Sequence, residues 1–139
     1  MIPADIHSQL IRDEGMKNFP YPDAKGKTTI GVGRNLTDKG LSDVEVRFLL
    51  ANDITETADA LHAAFPWFAG IDGPRQGVLI NMAFNMGIEG LSGFAKFLAA
   101  VMRHDWNAAA DEMLKSMWAA QVGDRAVRLS SQMRTGVWV

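Results

Sequence analysis

EGMKNFPYPDAKGKTTIGVG, residues 14–33, passes from a helix end through a loop into a β run, and the rest of the chain is arranged around it. Upstream, Ile6, Leu10 and Ile11 recur at helical spacing, so residues 4–14 read as a short amphipathic helix, with Pro3 suited to its start and Gly15 to its end. Glu14 is thereby left in the last turn, at the negative end of the helix dipole, a placement suited to a proton donor. The helical period is then lost. Pro20 and Pro22 enforce extended backbone, and AKGK at 24–27 is a turn signal that leaves Asp23 in a loop. TTIGVG at 28–33 alternates, which predicts Ile30 and Val32 facing the core and Thr29, Gly31 and Gly33 on a bare face that a ligand can approach.

TDKGLSDVE at 37–45 is a turn leading into a helix, with Ser42 and Glu45 spaced as a capping box. Val46, Leu49, Leu50, Ile54, Ala58 and Leu61 continue as a stripe, which predicts a long spine helix over 42–63, ended before Pro66. WFAGIDGP at 67–74 reads as loop, with Pro74 opening a strongly apolar, buried helix over 75–86. A glycine-rich break, MGIEGLSG at 86–93, precedes three helices expected at 92–103, 105–119 and 123–133. The tail RTGVWV is expected to fold back through Trp138. The fold class is therefore α+β, mainly α, in one domain of two lobes. A small N-terminal lobe at about 13–41 carries an antiparallel β element. The spine helix joins it to a helical lobe at about 64–139, to which the N-terminal helix also belongs.

With 139 residues, 47% of them hydrophobic, one sizeable core is affordable. A formal net charge of −2 gives no electrostatic footprint for nucleic acid, and none is expected as a partner. The start, MIPADIHSQLIRDEG, lacks a signal-like basic and apolar pattern, and no window has the roughly 18–20 apolar residues of a membrane span. Membrane insertion is not expected, and synthesis in the cytoplasm without a signal peptide is. Cysteine is absent, and His7, His62 and His104 are scattered as surface residues, so no metal or cofactor is expected. GVGRNL at 31–36 lacks the third glycine of a dinucleotide fingerprint and the GK[ST] of a P-loop. The eight methionines read mainly as core filler.

Two carboxyl groups in different local environments, Glu14 at a helix end and Asp23 in a loop, are what glycoside hydrolysis needs of an acid and a base. EG at 14–15, YPD at 21–23 and TIGVG at 29–33 match in type and spacing the phage-type lysozymes (endolysins of the T-even phage family, glycoside hydrolase family 24), which the chain closely resembles. INMAFNMG at 80–87, GF at 93–94, the Trp118 segment and RTGVW at 134–138 extend the resemblance over nearly the whole chain. It implies a muramidase that cuts the β-1,4 bond between N-acetylmuramic acid and N-acetylglucosamine of bacterial peptidoglycan, with inversion. Carried over, Glu14 is the general acid, Asp23 the water-activating or electrostatic partner and Thr29 the water-positioning hydroxyl. Inversion requires about 6.5–9.5 Å between the carboxyls. Asn35, Phe84 and Asn85 are the substrate-binding candidates. Two ion pairs are implied: Asp13, beside Glu14, with Arg125, and Arg34 with Asp53, where arginine replaces a family histidine and removes its titration near neutral pH. A monomer acting on the wall in the periplasm, after release through a phage-made membrane lesion, completes the expectation.

The chain also departs from the family. The connection from Gly33 to the long helix is short, so the β lobe is trimmed, and Met117, Glu112 and Phe97 stand where polar contacts of another kind are expected. Two other readings use the same residues: a chitin hydrolase or lytic transglycosylase, and a wall-binding module without turnover. The intact Glu14, Asp23 and Thr29 set, with two groups suited to hold a water, favours hydrolysis.

Overall fold

The computed structural model describes residues 4–139; Pro3, expected at the start of the first helix, lies outside the described residues. Seven helices and a small three-stranded antiparallel sheet are described, with 66% of the chain helical, which bears out a mainly helical α+β fold. The chain divides into two compact units, Met1–Leu49 and Leu50–Val139, with the division inside a helix.

In the first unit, α1 (Ile6–Glu14) starts at Asp5, whose carboxylate accepts from Ser8 N at 2.8 Å, and ends at Gly15, whose φ of 79° an L side chain rarely adopts. Strands β1 (Lys17–Pro22), β2 (Thr28–Gly31) and β3 (Arg34–Asn35) lie in the order β1-β2-β3. The β1–β2 register is irregular between Lys17 and Tyr21, the stretch that contains Pro20, which has no N–H to give a ladder. Thr29 is flanked across the sheet by Tyr21 and by Asn35.

That flanking overturns the predicted parity of β2. Thr29 is 4% exposed, while Ile30 is half-buried and Val32 is 38% exposed. Directly opposed residues share a face, so Tyr21 and Asn35 shield Thr29 from both sides, whereas Val32 falls in the turn beyond the strand.

Helix α2 (Asp43–Ala64) carries the division between the units, and its capping box forms as read: Ser42 N donates to Glu45 Oε1 at 3.0 Å, and Glu45 N to Ser42 Oγ at 3.2 Å. Of its predicted apolar stripe only Leu61 is buried; Val46, Leu49, Leu50 and Ile54 are 40–50% exposed. The capping box holds the start of this helix, where no side chain is buried.

The second unit is the packed one. A 3₁₀ turn (Phe68–Gly70) leads to α3 (Gly73–Ser92), where the expected glycine break falls at Gly87, with φ 78° and ψ 164°, before one more helical stretch. Then come α4 (Ala95–Met102), α5 (Trp106–Lys115), α6 (Met117–Val122) and α7 (Asp124–Thr135). The single helix expected over 105–119 is two. Ser116 is extended, its hydroxyl accepts from Ala119 N at 3.2 Å and donates to Met113 O at 2.6 Å, ending one helix and capping the next. Leu61, Val78, Leu79, Met82, Phe97, Val101, Met113 and Met133 are central to the core, so Phe97 is a core residue and not a departure at a binding surface. Arg75 ties α3 to the end of α7, donating to Met133 O at 2.7 Å and Arg134 O at 3.0 Å, with its guanidinium 4.2 Å from the centre of the Trp106 ring. The tail does fold back: the Trp138 ring lies where a β-carbon on Gly77 would stand.

Candidate active site

The three residues expected to be catalytic all lie in the first unit. Asp23 closes a turn on itself. Its Oδ1 accepts from Lys25 N at 2.8 Å and Lys27 N at 2.9 Å, while its own N–H donates to Lys27 O at 2.9 Å. These contacts anchor Oδ1 and leave Oδ2 without a protein donor among the described residues. Thr29 Oγ1 donates to Lys27 O at 3.0 Å. One backbone residue, Lys27, therefore holds both side chains, the carboxylate through its N–H and the hydroxyl through its C=O. With its proton so used, the Thr29 oxygen can only accept from a further partner.

Glu14 reaches the same sheet from the end of α1. Its carboxyl lies over Gly33, in the turn between β2 and β3. Asp23 and Asn35 line one cavity of about 410 Å³, together with Lys25, Lys27 and Asp38. Asn35 is also tied to Asp38, donating through Nδ2 to Oδ2 at 3.0 Å and accepting at Oδ1 from Asp38 N at 2.9 Å. Lys27 Nζ approaches Asp38 Oδ1 at 3.3 Å.

Arg34 has a partner in its own unit that the sequence reading did not name. Its guanidinium meets Glu45 Oε2 at 2.6 Å and donates to Gly40 O at 3.2 Å. The reason is local: the capping box fixes Glu45 in the first turn of α2, a few residues from β3. Hydrogen bonds from Ser42, then Arg34, hold the Glu45 carboxyl down at about 2. Asp13 is paired with Arg12 at 2.8 Å, and Arg125 is held by Asn81, whose Oδ1 lies 2.9 Å from Nε and 2.6 Å from Nη2.

In the second unit, Phe84 is 47% exposed and lines a cavity of about 400 Å³ with Asp53, Glu56, Thr57 and Gly87. It also lines a more apolar one of about 340 Å³ with Arg125 and Trp138. Asn85 is oriented by Trp118, whose Nε1 donates to Asn85 Oδ1 at 3.0 Å, leaving the amide NH₂ to face solvent or a ligand. Met117 is 81% exposed. The roles of Lys27, Asn81 and Trp118 as holders were not read from sequence. Lys27 acts through its backbone, and the two others reach partners 44 and 33 residues away. A buried tryptophan needing a partner for its N–H was the one available signal.

The phage lysozyme family model matches residues 12–134. T4-type lysozymes 1 and 2 of Dictyostelium discoideum are 25% and 26% identical, each over 96% of this chain and 95% of their own length. The pre-baseplate central spike protein of Enterobacteria phage T4 is 26% identical over 91% of this chain, which spans only 27% of that protein. A family match over most of the chain, on a mainly helical fold with a small sheet, places it: the chain belongs to the phage lysozyme family, a family of hydrolases.

Proposed function

We propose that the chain is a muramidase that hydrolyses the β-1,4 bond between N-acetylmuramic acid and N-acetylglucosamine in bacterial peptidoglycan, with inversion. The observation that carries the mechanism is the Lys27 splint, which presents the Asp23 carboxylate and the Thr29 hydroxyl from one backbone residue. A water giving one hydrogen to Asp23 Oδ2 and the other to Thr29 Oγ1 keeps a lone pair for the anomeric carbon. Asp23 draws off the proton as the C–O bond forms, and Glu14 protonates the departing glycosidic oxygen. The step balances: the water oxygen bonds the anomeric carbon as the glycosidic C–O bond breaks, one proton leaves Glu14 for the departing oxygen, and one arrives on Asp23 from the water.

Asn35 and, in the second unit, Phe84 and Asn85 supply sugar contacts in this reading. Phe84 offers an exposed ring, and Asn85 an amide whose orientation Trp118 sets. Peptidoglycan is the partner, the protein acts as a monomer, and it meets the wall in the periplasm after release from the cytoplasm. Among the described residues no helix is long and apolar enough to cross a membrane.

The test is lysis of outer-membrane-permeabilised Gram-negative cells by wild type beside Glu14→Gln. The substitution keeps the shape of the side chain and removes its transferable proton. Clearing by wild type with a loss of about 10²–10⁴-fold in the variant supports the reading. Equal clearing by both removes Glu14 as the acid, and glycan strands left uncut by wild type at every pH tested would sink the muramidase reading itself.

A further inference from the structure

We infer that Gly33 is a positioning residue for Glu14: its bare α-carbon is the floor on which the carboxyl rests, a role separate from its left-handed backbone. For catalysis this rests on the proposed muramidase reading; for the placement of Glu14 it does not.

Two demands meet at Gly33. One is conformational, since its φ is +67°, and Gly40 in the same unit shares that demand at +64°. The other belongs to Gly33. A β-carbon there would stand 3.1 Å from Glu14 Oε2, 3.4 Å from Cδ and 3.6 Å from Cγ, so the carboxyl would have to retreat by a few tenths of an ångström. At Gly40 the nearest atom, Leu36 O, is 4.0 Å away, an ordinary contact. The floor matters because Glu14 is exposed, and among the described residues no hydrogen bond or ion pair holds its carboxyl. Its neighbours in the helix do have partners: Asp13 is taken by Arg12. The close approach to Gly33, which leaves no room for a relaxed β-carbon, is thus the constraint on the Glu14 carboxyl that its own unit supplies. Catalytic groups need placing to within roughly 0.5 Å, and a misplacement of about 1 Å costs on the order of 10²-fold, so a few tenths should cost about tenfold.

The experiment compares wild type, Gly33→Ala and Gly40→Ala in three readouts: melting temperature, kcat/KM on purified glycan strands, and the ¹³C NMR chemical shift of the Glu14 carboxyl. Both variants force alanine into a left-handed backbone, so both should melt lower by similar amounts. Only Gly33→Ala should move the Glu14 carboxyl resonance and lose about a further tenfold in kcat/KM. Gly33→Asn with Gly40→Asn repeats the comparison if the alanine variants do not fold, because asparagine tolerates this backbone and carries the same β-carbon. A Glu14 resonance that coincides in the Gly33 and Gly40 variants would overturn the inference and leave Gly33 a backbone residue only. Wild type that cuts no glycan would overturn the function, and the resonance would still decide the role of Gly33.

Discussion

The two units keep their shape by different means. From Leu61 onward the helical unit buries a contiguous apolar core, with Phe68, Phe97, Leu79 and Met82 almost wholly removed from water. In the first unit the one buried side chain among the described residues is Thr29, and no residue of α1 is buried. What holds it is a chain of local hydrogen bonds: Asp5 on α1, the Asp23 turn, Thr28 N on Thr37 Oγ1, Asn35 with Asp38, and Ser42 with Glu45. Packing places side chains only as accurately as a core can be filled, whereas a carboxylate oxygen that accepts from two backbone amides has its position set directly. A unit built this way can orient Asp23 and Thr29 without an apolar core around them.

That contrast can be broken most sharply in the helical unit. Phe97→Ala should cost about 3–5 kcal/mol, the usual toll for deleting a large buried ring, read by denaturant unfolding. A loss below about 1 kcal/mol there would mean the core is not what holds the unit. The corresponding cut in the first unit is smaller: Ser42→Ala removes one half of the capping box and should cost about 1 kcal/mol in the same measurement. An effect as large as that of Phe97→Ala would erase the distinction between the units.

The smallest effect has a sign that pH reveals. Because the Glu45 carboxyl is held down at about 2 from an ordinary 4.5, its stabilisation is complete above about 4.5 and is lost as pH falls toward 2. Wild type should therefore melt slightly above Glu45→Gln near neutral pH, and the two should converge as pH falls through that window. A gap in melting temperature that stays constant from pH 7 to pH 2 would remove charge as the reason Glu45 matters.

Much of this was legible beforehand because it is local. Gly15 after Glu14, the Pro and Gly punctuation around Asp23, and Ser42 three residues before Glu45 are short-range signals, and each forms as read. What was not legible depended on neighbours. The parity of β2 came out reversed because Thr29 is covered by residues of two other strands, and alternation within one strand carries no information about what stands beside it. Ser116 splits the helix expected over 105–119, where the apolar period alone runs on unbroken. Arg34 meets Glu45, a carboxylate that the helix cap holds near β3, and a cap signal does not say which side chain beyond the cap will join it.

By itself the sequence determined the class of fold, the family and the identities of Glu14, Asp23 and Thr29 as the polar set to watch, since spacing and turn chemistry are written in neighbouring residues. Tertiary structure alone decided how they are held: Asp23 and Thr29 by the backbone of Lys27, Glu14 on the bare backbone of Gly33, and Asn85 by Trp118. The physical reason is that a hydrogen bond or a van der Waals floor is set by distance in space, and residue type along a chain does not specify that distance until the chain has folded.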